Sequence, residues 1–355
     1  MDGEGWRTGR GGCLSLLPGG AVTDRHSGRD RGRLRFGPLT LRTVVNNHFP
    51  TLPGVTALRA CLLSVSIALL AGCGSLPSLS SAKPAATAPA AVPAPAPSAV
   101  RKPKIGLALG GGAARGFAHI GVIKMLESHG VVADYVVGTS AGAVVGSLYA
   151  AGHDAFAMQK IAQQLDEKIF ADWTLGGRGI LKGEALQDFV NQHVGKRPLE
   201  KLGKPFATVA TDLNSGERVV FRTGDTGLAV RASAAVPGVF QPAQFRGRSY
   251  VDGGLTSPVP VQAAREMGAD IVIAVDISDR PEGQPVDSLA AILWQTTTIM
   301  GGIIGANELK GADVVIRPTL RYVKSWDFTA RHDAMLEGEK AALAALPNIK
   351  QKLGR

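Results

Sequence analysis

The chain is poor in cysteine and poor in charge. Only Cys13, Cys61 and Cys73 occur in 355 residues, so no disulfide framework holds a fold of this size, and their spacing matches no zinc pattern. Charged residues make up 19% against 45% hydrophobic, which excludes a disordered polyelectrolyte and predicts a buried core, in one large domain or two small ones. Acidic residues are outnumbered 29 to 39, for a formal charge of +10. Nine of the basic and four of the acidic residues precede Cys73, a surplus of five, and the other five are spread over the rest. So thin a charge suits an anionic lipid surface and makes no case for nucleic acid.

Residues 1–57 hold eight arginines, no lysine and no periodic apolar pattern, so no packed structure is expected there, and a wrongly assigned start is as good an explanation as a real extension. From Arg59 a positive charge is followed by about a dozen apolar residues and then Leu70-Ala-Gly-Cys73, the layout of a secretory signal over 58–72 and too short to span a bilayer as a mature helix. Leu70-Ala-Gly-Cys73 resembles the bacterial lipobox, which implies cleavage before Cys73 and lipidation of its thiol. Gly74 in place of an aspartate then points to an outer-membrane lipoprotein facing the periplasm. The Ala/Pro-rich tract that completes 73–103 reads as an extended tether.

From Lys104 the pattern becomes alternating strands and helices. Strands are predicted at Ile105–Leu109, Tyr135–Val137, Phe206–Thr211, Arg218–Arg222, Ile271–Asp276 and Val314–Arg317. Helices are predicted at Phe117–His129, through Val144 to Tyr149, near Glu184–His193, Val261–Met267, Leu289–Ile304 and Ala334–Ala345. Such alternation predicts an α/β fold with a largely parallel sheet between two helical layers and a ligand site beyond the strand ends.

Three motifs fall there. Gly138-Thr-Ser-Ala-Gly142 fits G-x-S-x-G between a strand and a helix, where glycines two before and two after leave a serine hydroxyl uncrowded and the helix favours negative charge. Gly110-Gly-Gly-Ala-Ala-Arg-Gly116 closes the first strand, and its amides suit a phosphate or an oxyanion. No Gly-Lys-Ser/Thr follows, against a P-loop, and Arg115 stands where a dinucleotide fold needs its last glycine. Tyr250-Val-Asp-Gly-Gly254 places a carboxylate at a strand end before two glycines.

Together these motifs resemble the patatin-like phospholipase family, especially its compact bacterial members, over roughly 104–320. Ala210–Gly216, Ala232–Phe240 and Ser257-Pro-Val-Pro260 look like further segments of that family. The resemblance implies a three-layer α/β/α patatin-like fold and a Ser–Asp dyad, with Ser140 as nucleophile and Asp252 as its base. Gly138, Gly142, Gly253 and Gly254 are then motif glycines, and the amides of Gly111, Gly112 and Ala113 hold the oxyanion with Arg115 in support. It implies a serine acyl hydrolase acting on phospholipid or another acyl ester, with no metal or cofactor. Two alanines where many members have one residue leave open which amides donate, and Ser257 replaces a common Asn.

Rival readings remain at this stage. A Ser140, Asp252, His332 triad has the chain order of an α/β-hydrolase, but His332 opens an amphipathic helix and reads as a solvated residue. His119, His129, His153 and His193 read as structural or exposed. A noncatalytic lipid-binding scaffold would show damage to the dyad, and none is visible. Ile169–Trp173, followed by Gly176–Gly179, read either as a lid or interfacial loop, with Arg178 and Lys182 placed to meet lipid phosphate, or as a surface loop with Trp173 packed inward. Leu289–Ile304 is expected to be a buried or homodimer-forming helix rather than a membrane span. Residues 321–355 read as a separate C-terminal helical segment.

Overall fold

A computed structural model describes residues 101–165, 181–282 and 286–355. The expected extension, signal segment, Cys73 and nearly all of the tether lie outside the described residues, as does the proposed lid except Leu181 and Lys182.

The elements alternate as expected. Strands β1 (Ile105–Leu109), β2 (Tyr135–Thr139), β3 (Phe206–Asp212), β4 (Arg218–Phe221), β5 (Ala243–Phe245), β6 (Arg248–Asp252), β7 (Ile271–Val275) and β8 (Val314–Ile316) form one sheet. Helices α1 (Phe117–Ser128), α2 (Ala141–Ala150), α3 (Ala155–Gln164), α4 (Glu184–His193), α5 (Thr226–Ser233), α6 (Val261–Glu266), α7 (Leu289–Glu308) and α8 (Arg331–Lys352) flank it. β1, β2, β3, β7 and β8 run parallel, and β4, β5 and β6 add antiparallel pairs.

Because side chains alternate along a strand, β1 sends Ile105, Leu107 and Leu109 into one core and Ala108 into the other. The first core packs α1, α2, α4 and α8 on the sheet; the second packs α6. β1 and β7 are buried along their whole length, as central parallel strands covered on both faces must be.

Two helices and one hairpin escaped the pattern. α3 and α5 are short, and each starts at an aspartate cap, Asp154 accepting from the Ala157 amide at 2.7 Å and Asp225 from Leu228 at 2.6 Å. The β5–β6 hairpin turns on Arg246 and Gly247, both with positive φ, a two-residue reversal that matches strand twist.

Residues 321–355 are not an appendage. Ala334, Met335, Gly338 and Ala342 of α8 are buried against α1. The two helices touch backbone to backbone at Gly121 and Gly338, where a Cβ would lie 1.9 Å from the Met335 carbonyl oxygen and 2.0 Å from that of Ala118.

Of the two expectations for Leu289–Ile304, a buried or a homodimer-forming helix, the buried one needs correcting. α7 extends to Glu308, and Gly305 is its one buried residue. Periodicity reports that a segment is apolar, but whether anything covers it depends on neighbours distant in sequence.

Candidate active site

The sheet register assembles the site. Thr208 and Val209 of β3 pair with both β2 and β4, while Ala210 and Thr211 pair with both β4 and β6. β2 and β6 therefore share one flank of β3, and antiparallel β6 runs toward the end of β2. Thr139 stands opposite Val209 and Asp252 opposite the next residue, Ala210. Strand ends that approach along one neighbour bring Ser140 and Asp252 together although they are 112 positions apart in sequence, and the two side chains hydrogen-bond.

Ser140 sits between β2 and α2 at φ 54°, ψ −121°. A non-glycine residue there is strained and is held by its surroundings. The hold comes from Ser233, at the end of α5, whose hydroxyl accepts from the Ser140 N–H at 2.9 Å and donates to the Val209 carbonyl at 2.5 Å. One buried hydroxyl thus fixes the Ser140 turn to β3. Ser233 lies within the Ala232–Phe240 block, but sequence gave it no role, because nothing local marks a serine whose partners are 24 and 93 residues away.

Ser233→Ala leaves a buried N–H without an acceptor, at a cost of about 1–3 kcal/mol. We expect kcat for a short-chain ester to fall with KM nearly unchanged, and Ser233→Thr to restore part of it. Steady-state kinetics check both.

Asp252 is 7% exposed. Burial pushes its carboxyl up from 3.8 to about 6, while hydrogen bonds from the Ser140 hydroxyl and the Gly254 amide pull it down. The Gly254 bond to Oδ1 is 2.7 Å. Gly253 begins the turn after β6, packed against the Val209 carbonyl. The other two motif glycines, Gly138 and Gly142, flank Ser140 where β2 meets α2.

The expectation that Gly111 offers an oxyanion donor needs correcting, because its N–H donates to the Pro258 carbonyl at 3.0 Å. The Gly110 N–H is likewise taken by Val275. Among the described residues, the Gly112 and Ala113 amides have no acceptor. Ala113 has φ 51°, a second strained residue in the loop that faces Ser140. Arg115 does not reach the pocket that Ser140 lines. Its Nε donates to the Ile277 carbonyl at 3.0 Å and its guanidinium pairs with Asp279 at 2.7 Å, so it orders the loop from behind. Beneath it, buried His119 donates from Nε2 to the Gly110 carbonyl at 2.8 Å, and burial lowers its pKa to about 4, which keeps it neutral.

Ser257 extends this frame. Its carbonyl accepts from the Thr139 hydroxyl at 2.8 Å, its own hydroxyl donates to Glu308 at 2.6 Å, and Glu308 also accepts from the Val259 amide. Residues 257–259 thus bracket both the Ser140 turn and the glycine loop.

Ser140 opens into a pocket enclosing about 840 Å³ of empty space, its mouth included. Ile120 of α1, Val144 and Leu148 of α2, Met158 of α3, Phe189 of α4 and Phe328 help form its walls, and among the described residues that line it Ser140 is the sole hydroxyl or charged side chain. His332 is exposed and does not line it. His153 and His193 bond to backbone carbonyls, and His129 is exposed.

Such an arrangement suits attack by a serine oxygen on a group carrying a long apolar chain. Residues 107–265 match the family described as patatin-like phospholipase. An uncharacterized NTE family protein of Mycobacterium tuberculosis is 40% identical over 202 residues, covering 55% of this chain and 56% of that protein. The chain thus spans little more than half the length of that relative. Lysophospholipase NTE1 of Yarrowia lipolytica is 30% identical over 201 residues, 54% of this chain and 14% of that one. Among solved structures, VipD from Legionella pneumophila aligns with TM-score 0.41 and 14% identity over 70% of this chain and 67% of its own. Over residues 107–265, the segment that builds most of this site, the chain matches the patatin-like phospholipase family.

Proposed function

We propose that the protein is a serine acyl hydrolase that cleaves phospholipid, lysophospholipid or a similar acyl ester with a Ser140–Asp252 dyad. The observation that carries this reading is a strained serine, facing a buried carboxylate, at the end of an otherwise apolar pocket. The name of the Yarrowia relative, a lysophospholipase, agrees with the class of substrate.

Asp252 takes the Ser140 proton as Oγ bonds to the ester carbonyl carbon. The carbonyl π electrons move to oxygen, and the Gly112 and Ala113 amides stabilise that charge. Collapse of the intermediate breaks the bond to the alcohol, which leaves with the proton from Asp252. Water then gives its proton to Asp252 and attacks the acyl-serine, releasing fatty acid and restoring the serine. A carboxylate of raised pKa suits both roles, because it takes and returns a proton near neutral pH.

Localisation belongs to the same proposal. Lipidated Cys73 and the tether would hold the domain at an outer membrane facing the periplasm, where its substrate lies.

A fluorophosphonate probe tests the chemistry. It should label the wild-type protein at Ser140 and leave Ser140→Ala unlabelled and without esterase activity, while His332→Ala keeps nearly full turnover. A wild-type protein that neither labels nor hydrolyses short-chain esters would support the scaffold instead, and loss of turnover in His332→Ala would sink the dyad.

A further inference from the structure

α7 connects β7 to β8, which are neighbouring parallel strands. A helix in that position ordinarily lays its apolar stripe on the sheet. In α7 the stripe is inverted. The side turned to the protein carries Trp294, Gln295, Thr298, Gly301, Gly305 and Glu308, at helical spacing and less exposed than their neighbours. With Ala291 and Ile304, which are also less exposed, this side is small or polar except for Trp294 and Ile304. Gln295 donates to the Pro281 carbonyl at 2.6 Å, Gly305 lies on Pro258, and Glu308 holds Ser257.

The side turned away carries Leu289, Ile292, Leu293, Ile299, Met300 and Ile303, each 45–74% exposed. No charged residue occurs between Asp287 and Glu308. A soluble surface rarely exposes so continuous an apolar face without a partner.

Two features identify that partner as lipid. Trp294 lies with its ring centroid 6.0 Å from Trp326, and Trp326 both lines the Ser140 pocket and is 44% exposed. The apolar helix is therefore continuous with the pocket that takes the acyl chain. The same loop exposes Arg321, Tyr322 and Lys324 beside Trp326. Aromatic rings with basic side chains are the composition favoured at a headgroup boundary, above all an anionic one.

We propose that the outward face of α7, with Arg321–Trp326 at its edge, is a bilayer-docking surface that presents the Ser140 pocket to lipid. The helix is long and apolar enough to cross a membrane, its richest window having mean hydropathy 1.4. Both its ends are tied to one sheet and Glu308 is bonded to Ser257, so it lies in the interface and does not span it. The purpose of docking rests on the acyl-hydrolase reading, but its measurement does not.

The test uses the full chain carrying Cys73→Ser, so that no acyl anchor contributes, with vesicles of phosphatidylethanolamine and phosphatidylglycerol. Adding Ile292→Glu and Ile303→Glu, both at exposed positions, should lower the vesicle partition coefficient at least tenfold by sedimentation and slow hydrolysis of vesicle phospholipid in proportion. Turnover of a water-soluble short-chain ester and the melting temperature should be unchanged. Equal partitioning of the two proteins overturns the proposal, as does a dimer in the parent that the double variant splits without loss of vesicle binding. If partitioning falls while neither protein turns over any ester, docking stands and the hydrolase reading fails.

Discussion

Replacing Asp252 by Asn is expected to lower ester turnover about 10²–10⁴-fold, the usual contribution of a positioned base, while raising the stability of the fold. Both effects come from the same burial. Asp252 must be ionised to accept the Ser140 proton, and its buried carboxyl has been pushed from 3.8 to about 6. Wild-type kcat/KM should therefore be flat above that value and fall about tenfold per pH unit below it.

The stability sign is opposite to that of a salt-bridged aspartate. Below the ordinary value the carboxyl is protonated in both folded and unfolded chains and contributes nothing. As pH rises through about 6 the unfolded carboxylate has already ionised freely, and the folded one ionises against burial. At neutral pH the native state is destabilised by about 1–3 kcal/mol on this account. Asn keeps an oxygen for the Gly254 amide and carries no charge. Denaturant unfolding at pH 7.5 should show Asp252→Asn more stable than wild type, with the two converging near pH 4. A variant that lost activity and stability together would mean that Asp252 holds structure and is not a base kept at a cost.

Gly142→Ala is expected to damage both fold and activity, and Gly302→Ala to do neither. In a helix interior, alanine is favoured over glycine by about 1 kcal/mol, so contacts decide the sign. A Cβ on Gly142 would lie 2.1 Å from the Leu109 carbonyl oxygen and 2.7 Å from that of Gly110. These are backbone atoms of β1 and the glycine loop and cannot step aside. The first turn of α2 must move, and it carries Ser140 away from the Gly112 and Ala113 amides. Overpacking of this kind costs about 1–3 kcal/mol or more, and displacing an oxyanion donor costs about 10²–10³ in kcat. A Cβ on Gly302, on the open side of α7, would meet nothing within 4 Å. Thermal melts and kcat should both fall for Gly142→Ala, while Gly302→Ala should keep its kcat and melt no lower than wild type; a Gly142→Ala protein with normal kcat would refute the tight coupling of β1, loop and Ser140 turn.

The strands and helices that were legible in sequence are those with long apolar periodicity. β1 and α4 match their predicted spans, and β2, β3 and β7 differ only at their ends. α3, α5 and the β5 strand were not, because α3 and α5 bury mostly small side chains behind a single aspartate cap and three-residue β5 is too short to show alternation. Ser140, Asp252 and the glycine loop were legible because their chemistry imposes local constraints, small residues beside a strained serine and a carboxylate before two glycines.

What sequence determined by itself was the identity of the candidate reacting groups and the α/β order that puts them at strand ends. Tertiary structure decided which amides remain free, since Gly111 is taken by Pro258 and Gly112 is not. It also assigned Ser233, Ser257 and Glu308 to the frame and turned the apolar face of α7 outward. The division has one physical cause. A motif encodes the backbone shape and chemistry of a few consecutive residues, whereas hydrogen-bond partners and burial are properties of packing between segments that are 24 to 162 residues apart.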